Sequence, residues 1–169
     1  MDHLPVKIRL QENSDILPSH SMWSFDTPFQ FQKMYEREVK NFLDIGILEK
    51  SGTEPSNWSS RAFPVLKGSG DCVCIVADFK KLNKAIEIPT WPTESSSRLL
   101  RHIRPKSKFF ISLDLTSGYH QVRVNKESQD LLCITTRTGH YRYTVLGQGI
   151  TSASDIFNYL TDGDLRING

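Results

Sequence analysis

Apolar and polar positions alternate most clearly from Phe109 to Asp114, where Phe109, Ile111 and Leu113 fall on one face and Phe110, Ser112 and Asp114 on the other. A period of two predicts a strand, with one carboxylate at its end. Gly118 then permits a bend, and Tyr119–Val124 predicts a returning strand. Two further strand-like runs, Arg61–Lys67 and Cys72–Asp78, are joined by Gly68–Asp71, the residue types of a tight hairpin. Leu131–Thr138 and Tyr141–Leu146 predict a last pair about a turn at Gly139 and His140, with Lys126–Asp130 as a turn before them.

The period lengthens to that of a helix after Thr27. Phe31, Tyr35, Val39, Phe42 and Leu43 form the apolar stripe. Thr27 as cap, Pro28 at the first helical position and Gln30 predict a capping box, Glu36 and Lys40 an i,i+4 pair, and Gly46 the stop. Glu94–Ile103 predicts a short helix, and Thr151 or Ser152 caps another whose Ile156, Phe157 and Leu160 share a face. Asp162-Gly163-Asp164 reads as a C-terminal turn after it. Residues 1–26 lack a sustained period and contain Pro5 and Pro18, which predicts an extended lead-in to a domain over 27–169. Ser51–Ser60 is a polar loop, Phe79–Glu87 a short basic link, and Ile88–Thr93 too proline-rich for a helix or central strand.

At 169 residues, 38% hydrophobic and 24% charged, the chain can bury one real core. No apolar run approaches the roughly 18 residues of a membrane span, and the start lacks the pattern of a signal peptide, so an intracellular protein is expected. Three cysteines fit a reducing compartment rather than a disulfide framework. Cys72 and Cys74 share a strand face, but no neighbouring ligands complete a zinc site, so buried thiols are expected. Charge is uneven: residues 98–142 hold nine Lys and Arg against three Asp and Glu. A basic field around Asp114 suits phosphates or nucleic acid, while a solvated basic face is the plainer reading.

The order of motifs adds more than any one of them. NFLDIGILEKS with SNWSSRAFPVLK, then VADFKKLN, then SLDLTSGYHQVRV, then RTGHYRYTVLGQGITSASDIF resemble, in that order, the fingers and palm of reverse transcriptases of the gypsy-like retrotransposon and retrovirus group. The resemblance implies an α+β fold: right-hand polymerase fingers and a partial palm, with a mixed, largely antiparallel sheet and packed helices, truncated before the second half of the palm. It implies that Asp114 is the first catalytic carboxylate, holding Mg2+ or Mn2+ together with a later Asp-Asp pair for two-metal nucleotidyl transfer from a dNTP to a primer 3'-hydroxyl. By the same resemblance Tyr119 is the steric gate beneath the sugar. The amides of Ser117 and Gly118 meet the triphosphate, Lys67 touches the γ-phosphate, and Gln148 packs near the sugar. Asp78 and Lys80 lie at the root of the fingers, as a structural ion pair or a template contact. The implied partners are an RNA or DNA template-primer and dNTP.

Each assignment has a plainer counterpart. Asp114 can be a strand-ending acid that accepts hydrogen bonds from the turn, Tyr119 a core aromatic, Lys67 a solvated hairpin lysine and Gln148 a loop residue. The chain also departs from the family pattern. Cys74 stands for a base-stacking arginine, Lys80 for a usual Arg, and Ser154-Asp155 for a usual Pro-Ala, changes expected to weaken nucleotide grip. The sequence contains no adjacent Asp pair, and Asp162-Gly163-Asp164 is not expected to replace one. Two functions therefore stand open: a catalytically incomplete polymerase domain, or a retroelement remnant that binds nucleic acid or protein without catalysis.

Overall fold

The computed structural model describes residues 4–12, 16–21, 24–52, 56–68, 70, 72–89, 91, 96–101, 103–111 and 114–165, apart from the side chains of 96, 99 and 162–165. The elements follow in the order α1 (Phe29–Asp44), β1 (Leu48–Lys50), β2 (Ser60–Lys67), β3 (Cys72–Ala77), α2 (Lys80–Ala85), α3 (Ser96–Arg101), a 3-10 turn (Gly118–Gln121), α4 (Lys126–Leu131), β4 (Cys133–Thr136), β5 (Gly139–Tyr143) and α5 (Ala153–Leu165).

Five strands form one mixed sheet in the order β1-β5-β4-β2-β3. All pairings are antiparallel except β2 with β4, which run parallel through Ser60↔Ile134 and Arg61↔Thr135. The expected hairpin is present, in the register Lys67↔Cys72 to Ala62↔Ala77. Every residue of β4 is buried, as its place between β5 and β2 requires. Its polar members are satisfied: Thr135 Oγ1 lies 2.7 Å from Ser59 Oγ and donates to the Ser21 carbonyl at 2.5 Å. Val73, Ile75 and Ala77 of β3 face the core, so Cys72 is exposed and Cys74 half-buried; of the three thiols only Cys133 is buried, against expectation. The hydrophobic pattern of β3 decided this, because Cys72 and Cys74 occupy the positions between its core residues.

Helix α1 packs on β3 and β1 through buried Tyr35 and Val39, with Phe42 and Leu43 partly buried beside them. Gly46 ends it at φ +75°, the left-handed stop that glycine favours. The predicted capping box does not form. Pro28 is the N-cap, Thr27 Oγ1 is buried without a partner among the described residues, and Gln32 Nε2 donates to the Thr27 carbonyl at 3.2 Å. Glu36 pairs with Arg137 of the β4–β5 turn.

Other expectations also fail for local reasons. Lys126–Leu131 is a helix, because Asn125 Oδ1 accepts from the Ser128 amide at 3.0 Å and caps it. Phe79–Glu87, whose residues predict only a short basic link and no element, contains helix α2, whose Leu82 and Ala85 are buried. The Tyr119–Val124 return is a 3-10 turn followed by isolated bridges, Arg123 to Val145 and Val124 to Val6. Strand β1 pairs with β5, but three residues were too short for a period to reveal. The β4–β5 turn falls at Arg137 and Thr138, two residues earlier than expected, with Gly139 at φ +141° opening β5. Helix α5 continues through Gly163 to Leu165, so its end is not the predicted turn at 162–164.

The lead-in crosses the domain and is held at Val6↔Val124, Leu10↔Ile86 and His20↔Ser59. Ile8 enters the core, and its amide donates to buried Ser128 Oγ at 2.8 Å. No described helix is long and apolar enough to cross a membrane.

Candidate active site

The segment that carries Asp114 differs from the rest of the domain. Residues 107–111 hold no regular structure, and Phe109, Phe110 and Ile111 are 91%, 70% and 87% exposed. The strand predicted from Phe109 to Asp114 is therefore absent over 109–111, while 112 and 113 lie outside the described residues. Alternation supplies an apolar face, but a strand exists only where another backbone accepts its hydrogen bonds. Asp114 itself is exposed.

Past Thr116 the chain tightens. Ser117 adopts φ 52°, ψ 44°, a left-handed conformation rare for a residue with a Cβ and common where function holds strained backbone. Its carbonyl accepts the His120 amide at 2.8 Å, and Gln121 Nε2 donates to the Thr116 carbonyl at 2.9 Å. Gly118 is fixed by packing: a Cβ there would lie 2.8 Å from Phe157 Cζ. The turn is thus pressed against α5, which explains a glycine at 118 better than backbone bending does.

Tyr119 rises from this turn, half-buried. Its ring meets Phe157 edge-on, with centroids 5.4 Å apart and planes at 79°, and its hydroxyl lies 3.1 Å from Ser154 Oγ. His120 points the other way. It stands T-shaped to Phe42 of α1 at 5.4 Å and stacks on Tyr143 of β5 at 6.5 Å and 27°. Burial, and after it the charge of Lys67, hold the His120 pKa below the usual histidine range. Lys67, exposed at the end of β2, therefore extends its field to the turn.

Gln148 is exposed between Gly147 and Gly149. Gly149 adopts φ +91°, and its carbonyl accepts Asn83 Nδ2 at 2.8 Å while Asn83 Oδ1 accepts the Thr151 amide at 3.0 Å. Asn83 thus clamps the loop that carries Gln148, a role the sequence reading missed although Asn83 ends the block VADFKKLN. Asp78 Oδ1 accepts the Lys80 backbone amide at 3.3 Å, a helix-start contact. Lys80 and Asp78 line a separate hollow with Ser19, Phe25, Trp58 and Arg61.

The structure accordingly joins Gly118 and Tyr119 to α5 and connects His120 of the same turn electrostatically to Lys67. Ser154 and Asp155, expected to be losses, both make contacts: Asp155 Oδ1 accepts the Trp91 amide at 3.2 Å. His120, Ser154 and Phe157 all lie inside the family-like motifs, but only their placement in space gives them roles. Among the described residues, no group of three or more His, Cys, Asp and Glu gathers to hold a metal ion.

The site thus sits on an α+β domain, a five-stranded mixed sheet with packed helices, where a left-handed turn follows an exposed carboxylate. A profile of the family described as reverse transcriptase (RNA-dependent DNA polymerase) matches residues 70–167, more than half of the chain, which therefore belongs to that family. The Pol polyprotein of transposon gypsy from Drosophila melanogaster is 33% identical over 134 residues, covering 76% of this chain and 13% of that protein. The Pol polyprotein of transposon opus from the same fly is 28% identical over 145 residues, 85% of this chain and 14% of that one. The chain spans a small fraction of the length of both. Among solved structures, the prototype foamy virus protease-reverse transcriptase matches with a TM-score of 0.79 at 22% identity, over 96% of this chain and 21% of that one. A foamy viral protease-reverse transcriptase in complex with double-stranded DNA matches at 0.70 and 18% identity, over 86% of this chain and 30% of that one. The expected family and fold class are borne out.

Proposed function

We propose that residues 27–169 form the fingers and first half of the palm of a retroelement RNA-directed DNA polymerase, with residues 1–26 as its lead-in. Asp114 is the first catalytic carboxylate and one metal ligand. Tyr119 is the sugar gate, the Ser117 and Gly118 amides and Lys67 face the triphosphate, Gln148 lies near the sugar, and Asp78 and Lys80 support the template side. The observation that carries this reading is the Ser117–Tyr119 turn. Strained backbone, a glycine with no room for a side chain and an aromatic tip follow an exposed carboxylate, within the field of a lysine.

In the complete family site, two divalent ions, Mg2+ or Mn2+, lower the barrier to in-line attack on the α-phosphate. This chain's described residues fit one corner of such a site, a single exposed carboxylate, and not the pair. The chain's own contribution is positional: the turn presents amide donors, Lys67 offers a cation to phosphate oxygens, and Tyr119 walls the sugar. On this reading the 169-residue chain by itself is catalytically incomplete, because its sequence contains no adjacent Asp pair. Primer extension on an RNA template with Mg2+ and dNTP should give no product above a protein-free control. Incorporation that Asp114→Asn abolishes would contradict incompleteness.

A second reading is favoured by the exposed run Arg101, Arg104, Lys106 and Lys108: a remnant that binds nucleic acid without catalysis. Such binding draws on counterion release, so affinity should fall steeply between low and moderate salt. A salt-independent affinity would rule it out.

A further inference from the structure

Tyr119 has two contacts to α5, and they differ in kind. Phe157 touches the ring edge-on, a contact that tolerates sliding and tilt. Ser154, one turn earlier on the same helix face, lies with its hydroxyl 3.1 Å from the tyrosine hydroxyl. A directional bond at the tip together with an edge contact at the ring fixes both the height and the tilt of an aromatic wall; either alone leaves one free. The family resemblance places a proline at 154, which has no hydroxyl to offer. Ser154 is exposed and close to the start of α5, so no core packing accounts for a serine there.

We propose that Ser154 is the positioning residue of the Tyr119 wall, and that the hydrogen bond between them sharpens discrimination against a 2'-hydroxyl. The proposal rests on the reading of Tyr119 as the sugar gate and adds to it the residue that holds the gate in this chain. Because the bond is neutral and solvent-accessible, its loss should shift the deoxy-to-ribo preference by about three- to tenfold, the weight of one such bond.

The test uses the 169-residue chain loaded with an RNA template and DNA primer in Mg2+, titrated with dGTP and with GTP. Tyrosine ring NMR is recorded in parallel, with Tyr119 assigned through Tyr119→Phe. Ser154→Ala should narrow the dGTP preference by that factor and shift or mobilise the Tyr119 ring, while Ser154→Thr, which keeps the hydroxyl, should restore both. Tyr119→Phe should match Ser154→Ala, and the double variant should add nothing further, because both remove one bond. An unchanged preference in Ser154→Ala, or additive effects in the double variant, overturns the proposal. Failure of both nucleotides to bind, with the ring still governed by Ser154, places the fault in the gate reading and overturns the selectivity claim. A ring indifferent to Ser154→Ala overturns the positioning itself.

Discussion

Strand β4 and the segment that leads to Asp114 are both strand-prone in sequence and end in opposite states. β4 is hydrogen-bonded on both sides and buried along its whole length, whereas residues 109–111, apolar throughout, lie 70–91% exposed. The difference teaches that strand-prone residues supply side chains fit for burial and nothing more. A strand needs a neighbour, and β4 has β5 and β2. The candidate site lies between the two regimes, its turn held by α5 and its carboxylate on the bare side.

The largest expected effect lies in the sheet. Ile134→Ala, at a fully buried position, should cost about 2–5 kcal/mol in urea unfolding, whereas Ile111→Ala should change stability by less than about 0.5 kcal/mol. Comparable losses at the two positions would show that residue 111 is packed in solution and erase the contrast.

Next is the join between turn and helix. Gly118→Ala places a methyl against the Phe157 ring, and overpacking of this kind costs about 1–3 kcal/mol. Pairing it with Phe157→Leu should recover most of the loss. If Gly118→Ala is neutral by itself, the turn does not press on α5 as described.

A smaller effect comes from His120. Its folded pKa is lowered, so below the ordinary histidine pKa the unfolded chain binds more protons than the folded one, and stability rises with pH through that window. The contribution is complete above about pH 6.5 and declines as pH falls through the interval down to the folded pKa. Urea midpoints at pH 5.0 and 7.5 should therefore lie closer together for His120→Phe, which keeps the stacking on Phe42 and Tyr143 and cannot protonate. An equal pH dependence in both proteins assigns it to other groups.

Smallest in stability, though visible in solution behaviour, is Phe109→Ser with Phe110→Ser. Two exposed aromatics removed should leave the unfolding midpoint in place and reduce self-association in sedimentation experiments.

Much of this was legible in the sequence. The stripe of α1, the β2–β3 hairpin, the stop at Gly46 and the start of α5 near Thr151 follow from period and punctuation, and the motif order names the family. What stayed hidden has physical causes. Asn125 makes Lys126–Leu131 a helix through one side-chain cap, a signal equally at home in a turn. The extended reading of 109–111 failed because pairing is non-local. Gly118 read as a hinge, yet its need is set by Phe157, 39 positions later in the chain. Ser154 looked like a loss against the family pattern until its hydroxyl was found beside that of Tyr119.

The central claim, that Asp114 is the metal-binding corner of a nucleotidyl-transfer site, is tested most directly by Mn2+ titration of the chain with dGTP, read as paramagnetic broadening of backbone amides. The prediction is selective broadening over 114–119 that Asp114→Asn removes. Broadening spread evenly over exposed carboxylates, or unchanged in Asp114→Asn, would contradict it.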